Sequence, residues 1–238
     1  MVQICGVMTA TLLRLMRAIH ELIISGKTMR LAILGAGSVG STLGKVWAKQ
    51  GHTVIFGVRD VNAPKVQTLL TEIGTNAQAA LLAEAVVQAE VVVLTVTWDA
   101  LPEVVEAIGK LDGKILLDCT NPLVGNQLDA ALNLTQSGGE QVATWFPSAK
   151  VVKIFNQIGW ETMANPQYGT EPATMFYAGD DTSAKQIAAQ LAIELGFEPI
   201  DAGTLAASKF LETLASFWGQ LAYGQGMGRN IAWRLLKR

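Results

Sequence analysis

Two hydrophobic rhythms alternate along the chain from Met29 onward. Short, nearly continuous apolar runs read as strands buried on both faces: Arg30–Leu34, Thr53–Val58, Val91–Val96, Lys114–Asp118, Val151–Phe155, Thr174–Ala178 and Glu198–Asp201. Between them, apolar residues recur every three or four positions, the helical period. Ser38–Gln50 shows it best, with Val39, Leu43, Val46 and Trp47 on one face and Gly51 as the stop. Ala63–Ile73, Leu101–Leu111, Ser183–Leu195 and the stretch from Leu205 follow, the last interrupted by Gly224-Gln225-Gly226-Met227-Gly228. Strands separated by helices predict an α/β chain. The expected architecture is a Rossmann-type, doubly wound parallel sheet with extra strands and a small C-terminal helical part. Residues 29–202 are the expected NAD(P)-binding domain, and residues 203–238 a C-terminal segment closing its cleft.

Residues 1–28 stand apart as an amphipathic extension. Leu12, Leu15, Met16, Ile19, Leu22 and Ile23 fall on one helical face over Thr11–Ser25, with Arg14, Arg17 and Glu21 opposite. The charges interrupt the apolar run instead of preceding it, unlike a secretory signal. Translation starting at Met29, a docking helix at a subunit interface, and a membrane-surface helix are three readings of it.

Composition narrows the function classes. Of 238 residues, half are hydrophobic and 16% are charged, so a sizeable core forms without disulfides or metal. Eighteen Lys+Arg against 20 Asp+Glu leave a formal charge of −2, with no basic footprint for nucleic acid. Cys5 and Cys119 make neither a disulfide framework nor a metal-ligand spacing, which suits the reducing cytoplasm. The apolar stretch Ala83–Val96 is broken by Glu84, Gln88 and Glu90, short of the roughly 20 residues a spanning helix needs.

The first strand runs into Gly35-Ala36-Gly37-Ser38-Val39-Gly40, and a helix follows. This is the strand–turn–helix setting that a dinucleotide-binding G-x-G-x-x-G requires. Gly35 permits the turn, Gly37 lets a pyrophosphate approach the backbone, and Gly40 lets helix and strand pack closely. The helix N-terminus offers free N–H groups to the phosphates. The second strand ends at Phe56-Gly57-Val58-Arg59-Asp60, about twenty residues on, where cofactor choice is made. If the strand stops at Val58, Arg59 meets the 2′-phosphate of NADP and Asp60 points away; a slip of one residue would let Asp60 select NAD. Lys65 is a second phosphate candidate.

The other strand ends carry Thr95, Thr97 and Trp98, then Asn121 and Pro122, then Phe155 and Asn156. In open parallel sheets these carboxyl ends flank the ligand crevice, and Thr and Asn side chains suit a nicotinamide carboxamide. Trp98 either walls the cleft or packs on the following helix. His20 and His52 are the only histidines, and neither a Ser-His-Asp set, a metal cluster nor an obvious carboxylate pair appears. Lys153 reads as a sheet residue. Hydride transfer between two rings needs no strong acid or base.

Several motifs in order resemble the NADP oxidoreductases dependent on coenzyme F420: Arg30–Gly40, Phe56–Asp60, Val93–Trp98, Asp118–Pro122, Val152–Asn156, Phe176–Asp181, Asp201–Gly203, Leu211-Glu212 and Gln225–Gly228. The resemblance runs from about Met29 to the end of the chain. The reductase domain of the STEAP metalloreductases is similar more distantly. The resemblance implies NADP in the Rossmann half and a hydride passed to a deazaflavin or flavin-like acceptor. It implies pyrophosphate contacts at Gly35, Gly37 and Gly40, a 2′-phosphate contact at Arg59, and a nicotinamide side lined by Thr97, Trp98, Asn121 and Asn156. The chain departs from the family's archaeal members over Phe155–Gly159 and at Val58. No catalytic residue is assigned, and a homodimer is expected from the apolar Leu205–Phe217 helix. The competing readings are a non-catalytic NADP(H) sensor and a reductase of a small imine or carbonyl. The last would need a helix-borne lysine with a glycine pair, and the sequence around Ser208–Glu212 has one lysine without that context.

Overall fold

A computed structural model describes residues 28–124, 127–128 and 136–238. The amphipathic period over Thr11–Ser25 lies outside them. In chain order the elements are β1 (Arg30–Leu34), α1 (Ser38–Lys49), β2 (Thr53–Val58), α2 (Pro64–Ile73), β3 (Ala77–Leu81), α3 (Leu82–Gln88), β4 (Val91–Leu94), α4 (Leu101–Ile108) and β5 (Ile115–Asp118). A short hairpin, β6 (Leu123–Val124) and β7 (Gln127–Leu128), comes next. Then follow α5 (Gly138–Trp145), β8 (Lys150–Lys153), α6 (Trp160–Ala164), the hairpin β9 (Gln167–Tyr168) and β10 (Glu171–Pro172), β11 (Thr174–Gly179), α7 (Thr182–Leu195), β12 (Glu198–Asp201) and α8 (Ser208–Gly219).

Eight strands form one sheet in the order β12-β11-β8-β5-β4-β1-β2-β3. The six from β3 to β8 are parallel, which is the dinucleotide-binding order with its switch point between β1 and β4. The last two strands depart from the expected parallel sheet. β11 runs antiparallel to β8, and β12 is parallel to β11. The connections explain this. β8 and β11 are joined through α6, whose five residues span only about 7.5 Å. The chain therefore stays at the carboxyl edge and enters β11 from there. β11 and β12 are joined by the 14-residue α7, long enough for a crossover that restores the direction.

Successive side chains on a strand face opposite ways. Leu31 and Ile33 join Leu43, Trp47, Phe56, Phe155 and Leu191 in one core layer, under α1 and α7. Ala32 and Leu34 join Val92, Leu94, Leu101, Val104, Leu116 and Val142 in the other, under α3, α4 and α5. β3 is an edge strand of mixed exposure with the sequence Ala-Gln-Ala-Ala-Leu, so it lacks the apolar run that marks its neighbours. α5 also lies outside the helices expected from periodicity. It does carry a capping box: Ser137 Oγ accepts from Glu140 N at 3.1 Å while Glu140 Oε2 accepts from Ser137 N at 2.8 Å.

Past α8 the chain makes a π-type turn over Gln220–Gly224 and returns to the sheet. Thr174 N donates to Trp233 O at 2.8 Å, Trp233 Nε1 donates to Gln157 O at 3.1 Å, and the Phe217 and Trp233 rings stack at 5.7 Å. No described helix is long and apolar enough to cross a membrane.

Candidate functional site

The loop between β1 and α1 is fixed by steric necessity. Gly35 has φ +111°, a conformation L side chains rarely adopt, and its amide donates to Gly57 O at 3.0 Å. A Cβ on Gly40 would lie 2.1 Å from Gly35 O and 2.6 Å from Thr95 Oγ1, so α1 approaches the strand only because Gly40 has none. Around Gly37 a Cβ would meet nothing within 4 Å. α1 has neither a side-chain cap nor an acidic residue in its first turn. Its leading N–H groups are thus left to whatever binds there. Thr95 braces the loop from below: its hydroxyl lies 3.0 Å from Leu34 O and 3.1 Å from Gly35 O. Ala36 and Val39 pack toward the core, and Ser38 is exposed.

Beside this loop opens a cavity of about 630 Å³, lined by Gly37, Arg59, Asp60, Lys65, Glu103 and Val104 among others. β2 stops at Val58, paired with Leu81, so Arg59 is the first residue beyond the strand. Its guanidinium is exposed, with Glu103 at 4.0 Å. Asp60 turns back on its own loop, where Oδ1 accepts from Asn62 N at 2.9 Å. Lys65, on the first turn of α2, is exposed at the same cavity.

A second cavity, about 1040 Å³, lies past the carboxyl ends of β5 and β8 and under α8, where Asn121, Asn156, Thr213, Phe217, Trp218 and Tyr223 line it. Asn121 and Asn156 form a reciprocal pair: Asn121 Nδ2 donates to Asn156 O, and Asn156 Nδ2 donates to Asn121 Oδ1, both at 2.8 Å. Gln157 Nε2 donates to Asn156 Oδ1 at 3.0 Å and to Phe176 O at 2.8 Å, tying the pair to β11. Phe155 precedes them at φ 62°, the one positive φ among the described non-glycine residues. Of the expected lining residues, Thr97 and Trp98 face neither cavity. Thr97 is exposed, and its hydroxyl helps hold the Asp99 carboxyl below its ordinary range. Trp98 packs on Trp145, ring centroids 5.6 Å apart. Pro122 is buried, and a Cβ on Gly138 would meet its ring at 3.1 Å.

Behind the second cavity lies a cluster that sequence reasoning missed. Lys153, fully buried, directs Nζ to Asp118 Oδ2 at 2.8 Å, Glu212 Oε1 at 2.9 Å and Thr120 O at 2.8 Å. All three ammonium protons thus have acceptors. Asp118 Oδ1 accepts from Thr120 N at 2.9 Å and Thr120 Oγ1 at 2.7 Å. Glu212 accepts from the first amides of α5, Gly138 N and Gly139 N, both at 3.0 Å. Burial alone would lower the pKa of Lys153; the two carboxylates outweigh it and raise it. Burial, with the Asp118 charge added, pushes the Cys119 thiol well up, so it is a poor nucleophile. The signal in the sequence was a lysine inside a buried strand, which must find counter-charges. Asp118 and Glu212 come together on Lys153, each as its ion-pair partner. Gly138 and Gly139 pack against α8: a Cβ on Gly139 would strike Ser208 Oγ at 2.5 Å, and one on Gly138 would reach Glu212 Oε1 at 3.0 Å. The lysine reaching that point is Lys153, while Lys209 is exposed beside Phe210.

The strand order, the glycine loop at the switch point and the cavity that the loop lines define a Rossmann-type dinucleotide-binding fold. Residues 30–122 match the family model described as NADP oxidoreductase, coenzyme F420-dependent. A proposed F420-dependent NADP reductase of known structure from Arthrobacter sp. FB24 is 30% identical, with a TM-score of 0.79, over 88% of this chain and 100% of that one. A hypothetical protein of known structure, SMa0349 from Sinorhizobium meliloti, is 29% identical with a TM-score of 0.68, over 79% of this chain and 91% of that one. The metalloreductase STEAP3 of Rattus norvegicus is 31% identical over 186 residues, 78% of this chain and 36% of STEAP3. The chain thus spans about a third of that relative's length. It belongs to the coenzyme F420-dependent NADP oxidoreductase family.

Proposed function

We propose that the chain transfers a hydride between NADP(H) and a flavin-like or deazaflavin acceptor of the coenzyme F420 type. The observation that carries this reading is the pair of cavities at the carboxyl ends of the strands, one lined by the glycine loop and the other by Asn121, Asn156 and α8. The smaller suits the adenosine end of the dinucleotide. Gly37 and the uncapped start of α1 would hold the pyrophosphate, with Arg59 and Lys65 on the 2′-phosphate and Asp60 already engaged within its own turn. Thr95 would act by holding the loop. These residues fit NADP as the notch between β1 and β4 would present it.

The larger cavity suits the reacting ends of the two substrates. When bound, NADP(H) supplies the hydride. The chain's own part is to place two flat rings against each other and keep water out. Asn121 and Asn156, locked together, offer amide edges to a carboxamide, and Phe217, Trp218 and Tyr223 offer an apolar wall for a second ring system. Tyr223 is the one titratable side chain among the cavity's described lining residues, which favours ring-to-ring hydride transfer over chemistry that needs a strong acid or base. The exposed faces of Phe217, Tyr223 and Met227 beside this cavity support a homodimer.

The test is NADPH oxidation by the purified chain in parallel with coenzyme F420, FMN, FAD and ferric chelates, with NADPH binding followed in the same samples. Turnover with the deazaflavin is the expected result. NADPH binding without turnover in any arm would replace the enzyme by a sensor.

A further inference from the structure

We infer that Lys153, acting through Glu212, is a positioning residue for the larger cavity: it sets the spacing between the Asn121–Asn156 floor and the α8 wall. This rests on the reading that the cavity receives the nicotinamide end. Neither Lys153 nor Glu212 lines the cavity, and both are shut off from solvent. Each nevertheless ends one residue from something that does line it.

On the floor side, Lys153 Nζ holds Thr120 O while Asp118, its ion-pair partner, holds Thr120 N and Oγ1. The peptide groups on both sides of Thr120 are thereby clamped, and Asn121 is the next residue. On the wall side, Glu212 sits immediately before Thr213 and about one turn before Phe217 on α8, and both of these face the cavity. Lys153 hydrogen-bonds to both sides, whereas Trp233, the other side chain that spans them, donates to Gln157 O and only stacks on Phe217. The arrangement is also charge-selective. Two carboxylates and one ammonium leave one negative charge, which Glu212 places against the two free amides at the start of α5. Gly138 and Gly139 admit the carboxylate and α8 at that distance because neither carries a Cβ. A purely apolar contact at the same place would hold α8 near the sheet without fixing where along the sheet it sits, because dispersion and burial are non-directional.

Two variants cut the link without leaving an unpaired buried charge. Glu212→Gln keeps the Lys153–Asp118 pair balanced. Asp118→Asn with Lys153→Met and Glu212→Gln removes all three charges together. The probes are NADPH and adenosine 2′,5′-bisphosphate, which lacks the nicotinamide half, each titrated against full-length protein. The expected result is a split. NADPH binds about tenfold more weakly to both variants, an effect of the size that displaced groups produce. The bisphosphate binds within twofold of wild type, since its site lies at Arg59 across the switch point. Equal losses for the two probes, or no loss for either, would overturn the assignment. So would variants that do not fold, because the link would then hold the fold and not the site. Wild-type protein that binds NADPH no tighter than the bisphosphate would instead sink the reading of the cavity itself, and this inference with it.

Discussion

The two cavities are built by opposite means. The one at the glycine loop is shaped by backbone: a positive φ at Gly35, a missing Cβ at Gly40, an uncapped helix start and charges standing in solvent at Arg59 and Lys65. The one under α8 is shaped by two polar clusters, Glu212–Lys153–Asp118 ending on Thr120 and Asn121–Asn156–Gln157, joined by the Thr120–Asn121 peptide. The first should tolerate changes in its charges and fail when its backbone is crowded. The second should fail when its charges are unbalanced. Buried polar groups are costly when half-satisfied, whereas exposed ones are cheap to lose.

Four substitutions probe that contrast, from the largest expected effect to the smallest. Lys153→Met alone strands two buried carboxylates and should cost about 3–5 kcal/mol of stability, read as a large fall in urea midpoint. An unchanged midpoint would show the network to be wetter than it looks. Gly40→Ala drives a methyl group into Gly35 O and Thr95 Oγ1 and should weaken NADPH binding about 100-fold, or about 2.7 kcal/mol, measured by fluorescence titration. Binding within threefold of wild type would mean the loop is not the pyrophosphate site. Arg59→Ala, at an exposed side chain, should raise the NADPH dissociation constant about tenfold and leave that of NADH alone. Equal rises would take the 2′-phosphate from Arg59. Glu103→Gln removes the carboxylate 4.0 Å from Arg59 and should tighten NADPH binding two- to threefold at low salt, roughly 0.5 kcal/mol, with the gain fading as salt is added. A weaker complex would show that Glu103 contacts the nucleotide directly.

The same contrast explains how much the sequence disclosed. Gly35–Gly40 and the end of β2 were legible because their chemistry is local: a few consecutive residues contain the whole device. β1, β2 and β4 announced themselves as apolar runs, whereas β3, half-exposed at the edge with alanines and a glutamine, did not. The reversed direction of β11 was hidden because strand patterns carry no arrow; only the brevity of α6 hinted at it. Asp118, Lys153 and Glu212 are spread across three elements, so no spacing rule joins them. Trp98 was drawn toward the cleft by its place after β4, and Trp145, on a helix the periodicity did not show, claims it instead.

The link between Lys153 and Glu212 also has a consequence for the order in which the chain is made. Domains generally fold as units, so an element made early settles only when its late partners arrive. The glycine loop, Arg59 and the strands that present them all lie before residue 122. Lys153 leaves the ribosome well ahead of Glu212 and meets its second carboxylate only once α8 has been made. Until then a lysine destined for the dry interior has one carboxylate, that of Asp118, and an open place beside it.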